Sequence, residues 1–113
     1  LDRFQALRHR IAEMATEVEI IKYFNYEITK KLDDGEYPVK EATMSKLQST
    51  RVADEVIYDC LQFLGGYGYM EEYPLARLLR DSRLGPIGGG TSQILKEVIA
   101  KILIDKKSYK PSF

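Results

Sequence analysis

The residues best suited to chemistry in this sequence are three consecutive glycines, Gly88 to Gly90, followed by Thr91-Ser92-Gln93 at the predicted start of a helix. Free backbone N–H groups, two hydroxyls and the positive end of a helix dipole meet there, which suits an anion or the polar edge of a ring. The alternative is a flexible link that only caps the helix. The segment lacks both the GxGxxG and the phosphate-loop lysine patterns, so it does not indicate a strand-borne nucleotide fold.

A second glycine cluster, GGYGY from Gly65 to Tyr69, combines three glycines with two tyrosines. Glycine permits positive φ and close backbone approach, here beside large flat side chains, so the sequence predicts an unusual turn. One predicted helix separates this cluster from the glycines that begin at Gly88. With this arrangement, the two clusters could fold onto one ligand.

The remaining residues with reactive side chains give weaker signals. His9 lies off the apolar stripe of its predicted helix, so we interpret it as a solvated residue. Cys60 lies on such a stripe and is interpreted as a small buried hydrophobe, because no histidine or second cysteine is near it in sequence. No metal site is expected, because no set of ligand-type residues has the required spacing.

Charged residues cluster beside the predicted turns. The carboxylate pairs Asp33-Asp34 and Glu71-Glu72 are interpreted as solvated caps rather than as an acid and base couple. A denser group lies on a short predicted helix and favours either an ion-pair network or an anion site. Its members are Arg77, Arg80, Asp81 and Arg83.

Helices must position all of these residues, and the fold class indicated is all-α. Apolar residues recur at helical spacing along residues 2–32 and 39–64, which predicts two long amphipathic helices. A shorter helix begins at Pro74, and a last amphipathic helix follows a cap at Thr91 or Ser92. At ~1.5 Å per residue the first helix is about 45 Å long, more than so small a domain needs, which indicates a partner helix outside this chain.

The apolar stripes predict which side chains form the core. On the first helix the stripe consists of Leu7, Ile11, Met14, Val18, Ile21, Ile28 and Leu32. On the last helix the residues expected to face inward are Ile94, Leu95, Val98, Ile99, Ile102 and Leu103.

Composition limits the function classes. The chain has 113 residues, 44% hydrophobic and 30% charged, which fits a single folded domain over residues 1–113. Its net charge is zero, so no overall field attracts nucleic acid or an anionic membrane. No apolar run approaches the ~20 residues that span a bilayer, and the single cysteine favours a reducing compartment. The first residue is not Met, and we expect it to lie at a cut in a longer chain.

The segment from Gln62 to Ile94, QFLGGYGYMEEYPLARLLRDSRLGPIGGGTSQI, resembles the signature of the acyl-CoA dehydrogenase family. That signature reads Q-x-x-G-G-x-G-[YF], then E-[YF]-P-x-x-[RK], then R-D, then G-T-[SA]-[EQ]-I. Upstream, FQALRHRIAEM resembles the helix that follows the family's flavin-contacting arginine segment. The resemblance covers nearly the whole chain and is specific, because many residue types agree over one long segment.

The resemblance implies the C-terminal helical domain of a flavoenzyme that dehydrogenates acyl-CoA thioesters between Cα and Cβ, as in the β-oxidation of fatty acids. We therefore expect an incomplete up-down four-helix bundle with three long helices and a short one. The chain would lack the family's N-terminal helical domain, its middle β-domain and the first bundle helix. The implied cofactor is FAD, and the implied substrate is an acyl-CoA. The implied partners are an electron-transfer flavoprotein and further copies of the chain, which would form a dimer or tetramer.

The resemblance also implies roles for individual residues. FAD contacts across a subunit interface fall on Gln5, Gln62, Phe63, Leu64, Gly65 and Gly66. FAD contacts of the same subunit fall on Thr91, Ser92 and Gln93, and the substrate passes the flavin at Gly89 and Gly90. Arg80 and Asp81 match a pair that we expect to support the glycine loop.

The position of Gly89 departs from the pattern of many family members, which carry their catalytic glutamate there. Glycine cannot take a proton, so we expect no catalytic residue in this chain and no activity from it alone. Either the base lies on a preceding helix, as in branched-chain and long-chain members, or dehydrogenation has been lost. The alternative functions are a free-standing helical oligomerisation module without flavin and a related acyl-CoA oxidase-type flavoenzyme. The expected location is the cytoplasm of a prokaryote or the mitochondrial matrix of a eukaryote.

Overall fold

The structure is a computed structural model that describes residues 3–111, and every regular element in that range is a helix. The helices are α1 (Gln5–Asp33), α2 (Val39–Leu64), α3 (Gly66–Tyr69), α4 (Pro74–Ser82) and α5 (Ser92–Leu103). The all-α prediction is confirmed, and α2 has the predicted bounds. Part of the glycine-tyrosine turn forms the one-turn helix α3. The predicted start of the first helix, residue 2, lies outside the described range.

The two longest helices, α1 with 29 residues and α2 with 26, form an antiparallel hairpin. Gly35 turns the chain between them with a φ of 83°, in the left-handed region that glycine adopts without strain. Two polar contacts set the register. The side chain of Arg10 pairs with Asp59 near one end, and Ser45 donates a hydrogen bond to the side-chain oxygen of Asn25 nearer the other.

Helix α2 is the centre of the fold. Helices α1, α4 and α5 all pack on it, and within residues 3–111 neither α1 nor α5 packs on any other helix. The most enclosed large side chain is Val52 of α2, which is 1% exposed. The other buried apolar side chains are Met14 and Ile28 of α1 and Leu95 of α5.

Much of the predicted core faces outward. Ile94 is 57% exposed, and Leu103 at the end of the same helix is also exposed, although both were expected to face inward. On α1 the stripe residues Ile11, Val18 and Leu32 are exposed as well. The physical reason is that α2 alone covers α1 and α5, and one helix covers only part of a broad apolar stripe.

The overall dimensions agree with an open bundle. The accessible surface is 8353 Å², whereas a compact protein of this mass exposes about 6,300 Å². The radius of gyration is 17.3 Å, against about 13 Å for a compact chain of this length. The described helices therefore form an incomplete bundle, as predicted, with apolar surface left to cover.

Candidate functional site

The glycine loop, residues 88–91, leads into α5 and has a backbone that favours glycine at two positions. Gly89 and Gly90 have φ values of 65° and 103°. A residue with a side chain is strained in this region by roughly 1–2 kcal/mol. Crowding is not the reason, because Cβ atoms at these positions would meet their nearest neighbours at 3.7 and 3.5 Å, which are ordinary contact distances.

Hydrogen bonds from two directions hold the loop. The ammonium of Lys46, on α2, donates to the carbonyl oxygens of Gly88 at 2.5 Å and Gly90 at 2.7 Å. On the side of the preceding turn, the N–H of Gly88 donates to the carbonyl of Leu84 at 2.7 Å. The loop is tied to two parts of the chain, which does not fit the alternative of a flexible link.

Thr91 joins the loop to α5 as its N-cap. Its hydroxyl oxygen accepts a hydrogen bond from the N–H of Ile94 at 3.3 Å, so Thr91 rather than Ser92 is the cap. The N–H of Ser92 donates instead to the carbonyl of Pro86 at 3.0 Å. Ser92 is half-buried and Gln93 is exposed in the first turn of α5, beside the loop.

Lys46 is the residue of this site that sequence reasoning missed. Each of its charge-assisted hydrogen bonds is of a kind worth roughly 1.5–3 kcal/mol. No local pattern could reveal this role, because Gly88 follows Lys46 by 42 residues and the contact exists only once α5 packs on α2.

The second glycine segment, residues 65–69, ends α2 at its opposite end. Gly65 has a φ of 58° and donates its N–H to the carbonyl of Gln62 at 3.0 Å. A Cβ on Gly66 would point into open space, but a Cβ on Gly68 would lie 2.4 Å from the carbonyl oxygen of Leu61. Gly68 is therefore required because α3 approaches the backbone of α2.

The residues predicted to contact FAD across an interface lie together at this end. Arg10 of α1 pairs with Asp59 of α2, and the two helices are antiparallel. Gln5 lies five residues before Arg10, and Leu64 lies five residues after Asp59, so Gln5 lies beside the end of α2. The predicted contact residues here are exposed except for Phe63, which is half-buried. They are Gln5, Gln62, Leu64, Gly65 and Gly66.

The two glycine segments do not meet in one copy of the chain. Lys46 holds the glycine loop near the start of α2, whereas Gly65 follows the last residue of that helix. At ~1.5 Å per residue, about 27 Å of helix separates Lys46 from Leu64. Within a single copy, a rigid helix therefore holds the two segments apart.

Two arginines of the charged group at α4, Arg80 and Arg83, form ion pairs. Arg80 binds both carboxylate oxygens of Glu71, at 2.9 and 3.3 Å, and the Arg83 guanidinium lies 3.9 Å from the carboxylate of Asp54 on α2. The hydrogen bond from Arg80, and secondly its charge, lower the pKa of Glu71. Glu71 is thus exposed to solvent, as expected, but it forms an ion pair and does not cap α4, whose N-cap is Tyr73. Arg80 holds the turn before α4 instead of supporting the glycine loop.

The other candidate residues stay outside any site. His9 is exposed, as expected, and Cys60 is only half-buried, on the wall of an apolar groove between α1 and α2. Among residues 3–111, no cluster of histidine, cysteine and carboxylate side chains is arranged to hold a metal ion. In the same range, no helix combines the length and apolarity needed to cross a membrane.

Comparison with known proteins identifies the family. The family model described as acyl-CoA dehydrogenase, C-terminal domain, matches residues 1–104. The short/branched chain specific acyl-CoA dehydrogenase of Bos taurus is 36% identical over 100 residues, which cover 88% of this chain and 23% of that protein. The caffeyl-CoA reductase-Etf complex subunit CarC of Acetobacterium woodii is 38% identical over 103 residues, 91% of this chain and 27% of that protein.

A solved structure agrees with this result. The crystal structure of an acyl-CoA dehydrogenase from Geobacillus kaustophilus superposes with a TM-score of 0.89 at 38% identity, over 91% of this chain and 27% of that one. The fold and the matched family model define a helical domain of one enzyme family. The chain belongs to the acyl-CoA dehydrogenase family and corresponds to its C-terminal domain. It spans about a quarter of the length of these relatives.

Proposed function

We propose that residues 1–113 act as one domain of an FAD-dependent acyl-CoA dehydrogenase, where they contact the flavin, form one wall of the acyl-CoA site and join copies of the enzyme. The observation that carries the proposal is the glycine loop. Its residues match the signature positions to which the resemblance assigns flavin and substrate contacts, and Lys46 holds its backbone beside the Thr91 cap of α5.

The donor groups of the loop suit FAD. The N–H groups of Gly89 and Thr91 have no acceptor within residues 3–111, and the Ser92 hydroxyl and the Gln93 amide lie beside them. Neutral donors of this kind match the carbonyl, ring nitrogen and hydroxyl groups of a flavin. When bound, FAD accepts the hydrogen that leaves Cβ of the acyl group as hydride. The role of these residues is to bind and orient it.

The opposite end of α2 is proposed to contact the FAD of another copy. Gln5 and the residues from Gln62 to Gly66 gather there and are mostly exposed. About 27 Å of helix, at ~1.5 Å per residue, separates them from the glycine loop. This separation supports a homo-oligomer, either a dimer or a tetramer, in which two chains hold each flavin.

The catalytic base is proposed to lie outside this chain, because Gly89 has no side chain to accept the α-proton. An electron-transfer flavoprotein is the proposed electron acceptor, since one relative is named as a subunit of an Etf complex. The pathway proposed is the β-oxidation of fatty acids. The proposed location is the cytoplasm in a prokaryote or the mitochondrial matrix in a eukaryote, as in the mitochondrial relative.

The test is an anaerobic titration of the complete polypeptide that contains this chain, with acyl-CoA thioesters of several chain lengths. We expect bound FAD whose visible absorbance bleaches with at least one thioester. Gln5→Ala is expected to weaken FAD binding about tenfold, the loss of ~1.4 kcal/mol. His9→Ala, also exposed on α1, is the matched control and should leave FAD binding unchanged. A complete protein without flavin, or a flavin that no acyl-CoA reduces, contradicts the proposal.

A flavin-free helical oligomerisation module is the second candidate, favoured by the apolar groove between α1 and α2. This groove has a volume of about 530 Å³ and is lined by Ile11, Met14, Ala15, Val18, Val56, Cys60, Phe63, Leu64 and Leu75. Assembly of the complete protein with no FAD bound would select this module. Rapid reoxidation of the reduced flavin by O₂, with release of peroxide, would instead select an acyl-CoA oxidase.

A further inference from the structure

The contact between Lys46 and the glycine loop also determines which way the loop faces. We propose that Lys46 is a positioning residue, which fixes the direction in which the loop presents its backbone N–H groups to the ligand. This inference rests on the proposed function, because the ligand is taken to be the flavin or the acyl-CoA that lies against the loop.

The direction follows from the geometry of the peptide bond. The described chain has no cis peptide bond, and in a trans unit the N–H points opposite to the C=O. The carbonyl oxygens of Gly88 and Gly90 both accept hydrogen bonds from the Lys46 ammonium. The N–H groups of Gly89 and Thr91 belong to the same two peptide units. Both therefore point away from the ammonium.

These two N–H groups are free to bind a ligand. Neither donates to an acceptor within residues 3–111, although the adjacent N–H of Ser92 donates to the carbonyl of Pro86. Two such donors on one face of the loop suit an acceptor such as a carbonyl oxygen or a ring nitrogen. Lys46 lies on the opposite face and does not reach that acceptor, so its effect passes through the loop.

A lysine is well suited to select this backbone. Successive glycines have many accessible conformations, and no side chain of their own restricts them. An ammonium has three donors and no acceptor, so it binds a peptide unit only through its carbonyl oxygen. A flipped unit would turn its N–H towards Lys46 and lose the hydrogen bond. A Cβ on Gly89 would lie 3.7 Å from Nζ of Lys46, so the ammonium is close to the middle of the loop.

The test uses the complete polypeptide with FAD bound and compares Lys46→Met with Lys46→Arg. Lys96→Met is the matched control, because Lys96 is an exposed lysine of α5. We expect Lys46→Met to keep its helix content but to lose about tenfold in kcat/KM for flavin reduction, ~1.4 kcal/mol of transition-state stabilisation, with a raised KM. Lys46→Arg, which retains charged donors, should return to within about threefold of the wild type.

A second readout observes the loop itself. With glycine labelled in ¹⁵N, the order parameters of Gly89 and Gly90 should be about 0.85 in the wild type and in Lys96→Met, and below about 0.6 in Lys46→Met. Unchanged order parameters overturn the inference, as does unchanged kcat/KM in a flavin-loaded Lys46→Met. If the wild type holds no FAD, the proposed function fails, and the order parameters alone decide the inference.

If Lys46→Met does not fold, the wild type still provides a test. Protons of an ammonium bonded to two carbonyls should exchange with water more slowly than those of the exposed Lys96. Equal exchange of the two ammonium groups would overturn the inference.

Discussion

At the start of α2, the positive φ values of Gly89 and Gly90 are held by the ammonium of Lys46, whereas at its other end Gly68 is pressed against the carbonyl of Leu61. In the first segment, Cβ atoms would make only ordinary contacts, and the segment depends on hydrogen bonds from another helix. The second has no space at Gly68 and depends on close packing.

Glycine-rich segments of similar sequence therefore respond differently when a glycine is replaced by a residue with a side chain. A Cβ at Gly89 or Gly90 strains the backbone but causes no steric clash. The loop can therefore keep its position at a modest cost in stability. A side chain at Gly68 collides with the backbone of a rigid helix, so α3 must move. The loop therefore depends on the hydrogen bonds that orient it, and the α3 end depends on the close approach of two backbones.

Among substitutions in the two glycine segments, the largest loss of stability is expected from Gly68→Ala. The new Cβ would lie 2.4 Å from the Leu61 oxygen, which no relaxation of a side chain can relieve. Unfolding in urea should show a loss of about 3 kcal/mol in the free energy of unfolding.

Gly66→Ala is the matched control for Gly68→Ala, because its Cβ would enter open space within the same short helix. Its free energy of unfolding should change by less than about 0.5 kcal/mol. Equal stability of the two variants would show that α3 does not pack against α2 in this way.

A smaller effect is expected from Gly89→Ala in the glycine loop. Its φ of 65° strains any residue with a side chain, so we expect a loss of roughly 1–2 kcal/mol in the free energy of unfolding. Gly88→Ala is the control, since Gly88 lacks a positive φ and its Cβ would meet Leu84 only at 3.5 Å. If the control lost as much stability as Gly89→Ala, crowding rather than φ would govern the loop.

The smallest effect is expected from the pH dependence of the ion pair between Arg80 and Glu71. Arg80 lowers the pKa of Glu71 below the ordinary value of 4.5, so the ion pair stabilises the fold fully above that value. The contribution is lost as the pH falls through the lowered pKa of the folded state. Urea unfolding should therefore distinguish Glu71→Gln from the wild type at neutral pH and not at strongly acidic pH.

The glycine loop should not share this dependence, because the groups that Lys46 binds are neutral carbonyls. The stability difference between Lys46→Met and the wild type should thus survive in acid. If the stability difference for Lys46→Met disappeared at the same pH as the difference for Glu71→Gln, a carboxylate would take part in holding the loop.

Local features of the chain were predictable from the sequence. The bounds of α2 and the start of α4 at Pro74 follow from apolar spacing and terminal residue types, which also limit the cap of α5 to Thr91 or Ser92. The family was also predictable, because the signature between Gln62 and Ile94 specifies many residue types in order.

Contacts between distant residues were not predictable. The expected support of the glycine loop by Arg80 was wrong, because Arg80 pairs with Glu71, and Lys46 takes that place from another helix. The outward position of Ile94 was also missed, since a stripe shows which side chains are apolar and not which neighbours exist to cover them.

The main helices and the family thus follow from the amino-acid order alone, because periodicity and signature residues act between near neighbours in the chain. Two features depend on the tertiary structure. The two glycine segments lie at opposite ends of α2, and Lys46 rather than an arginine of α4 holds the loop. Both depend on a rigid helix and on the packing of α5 against it. A local pattern cannot encode a distance between residues that meet only after folding.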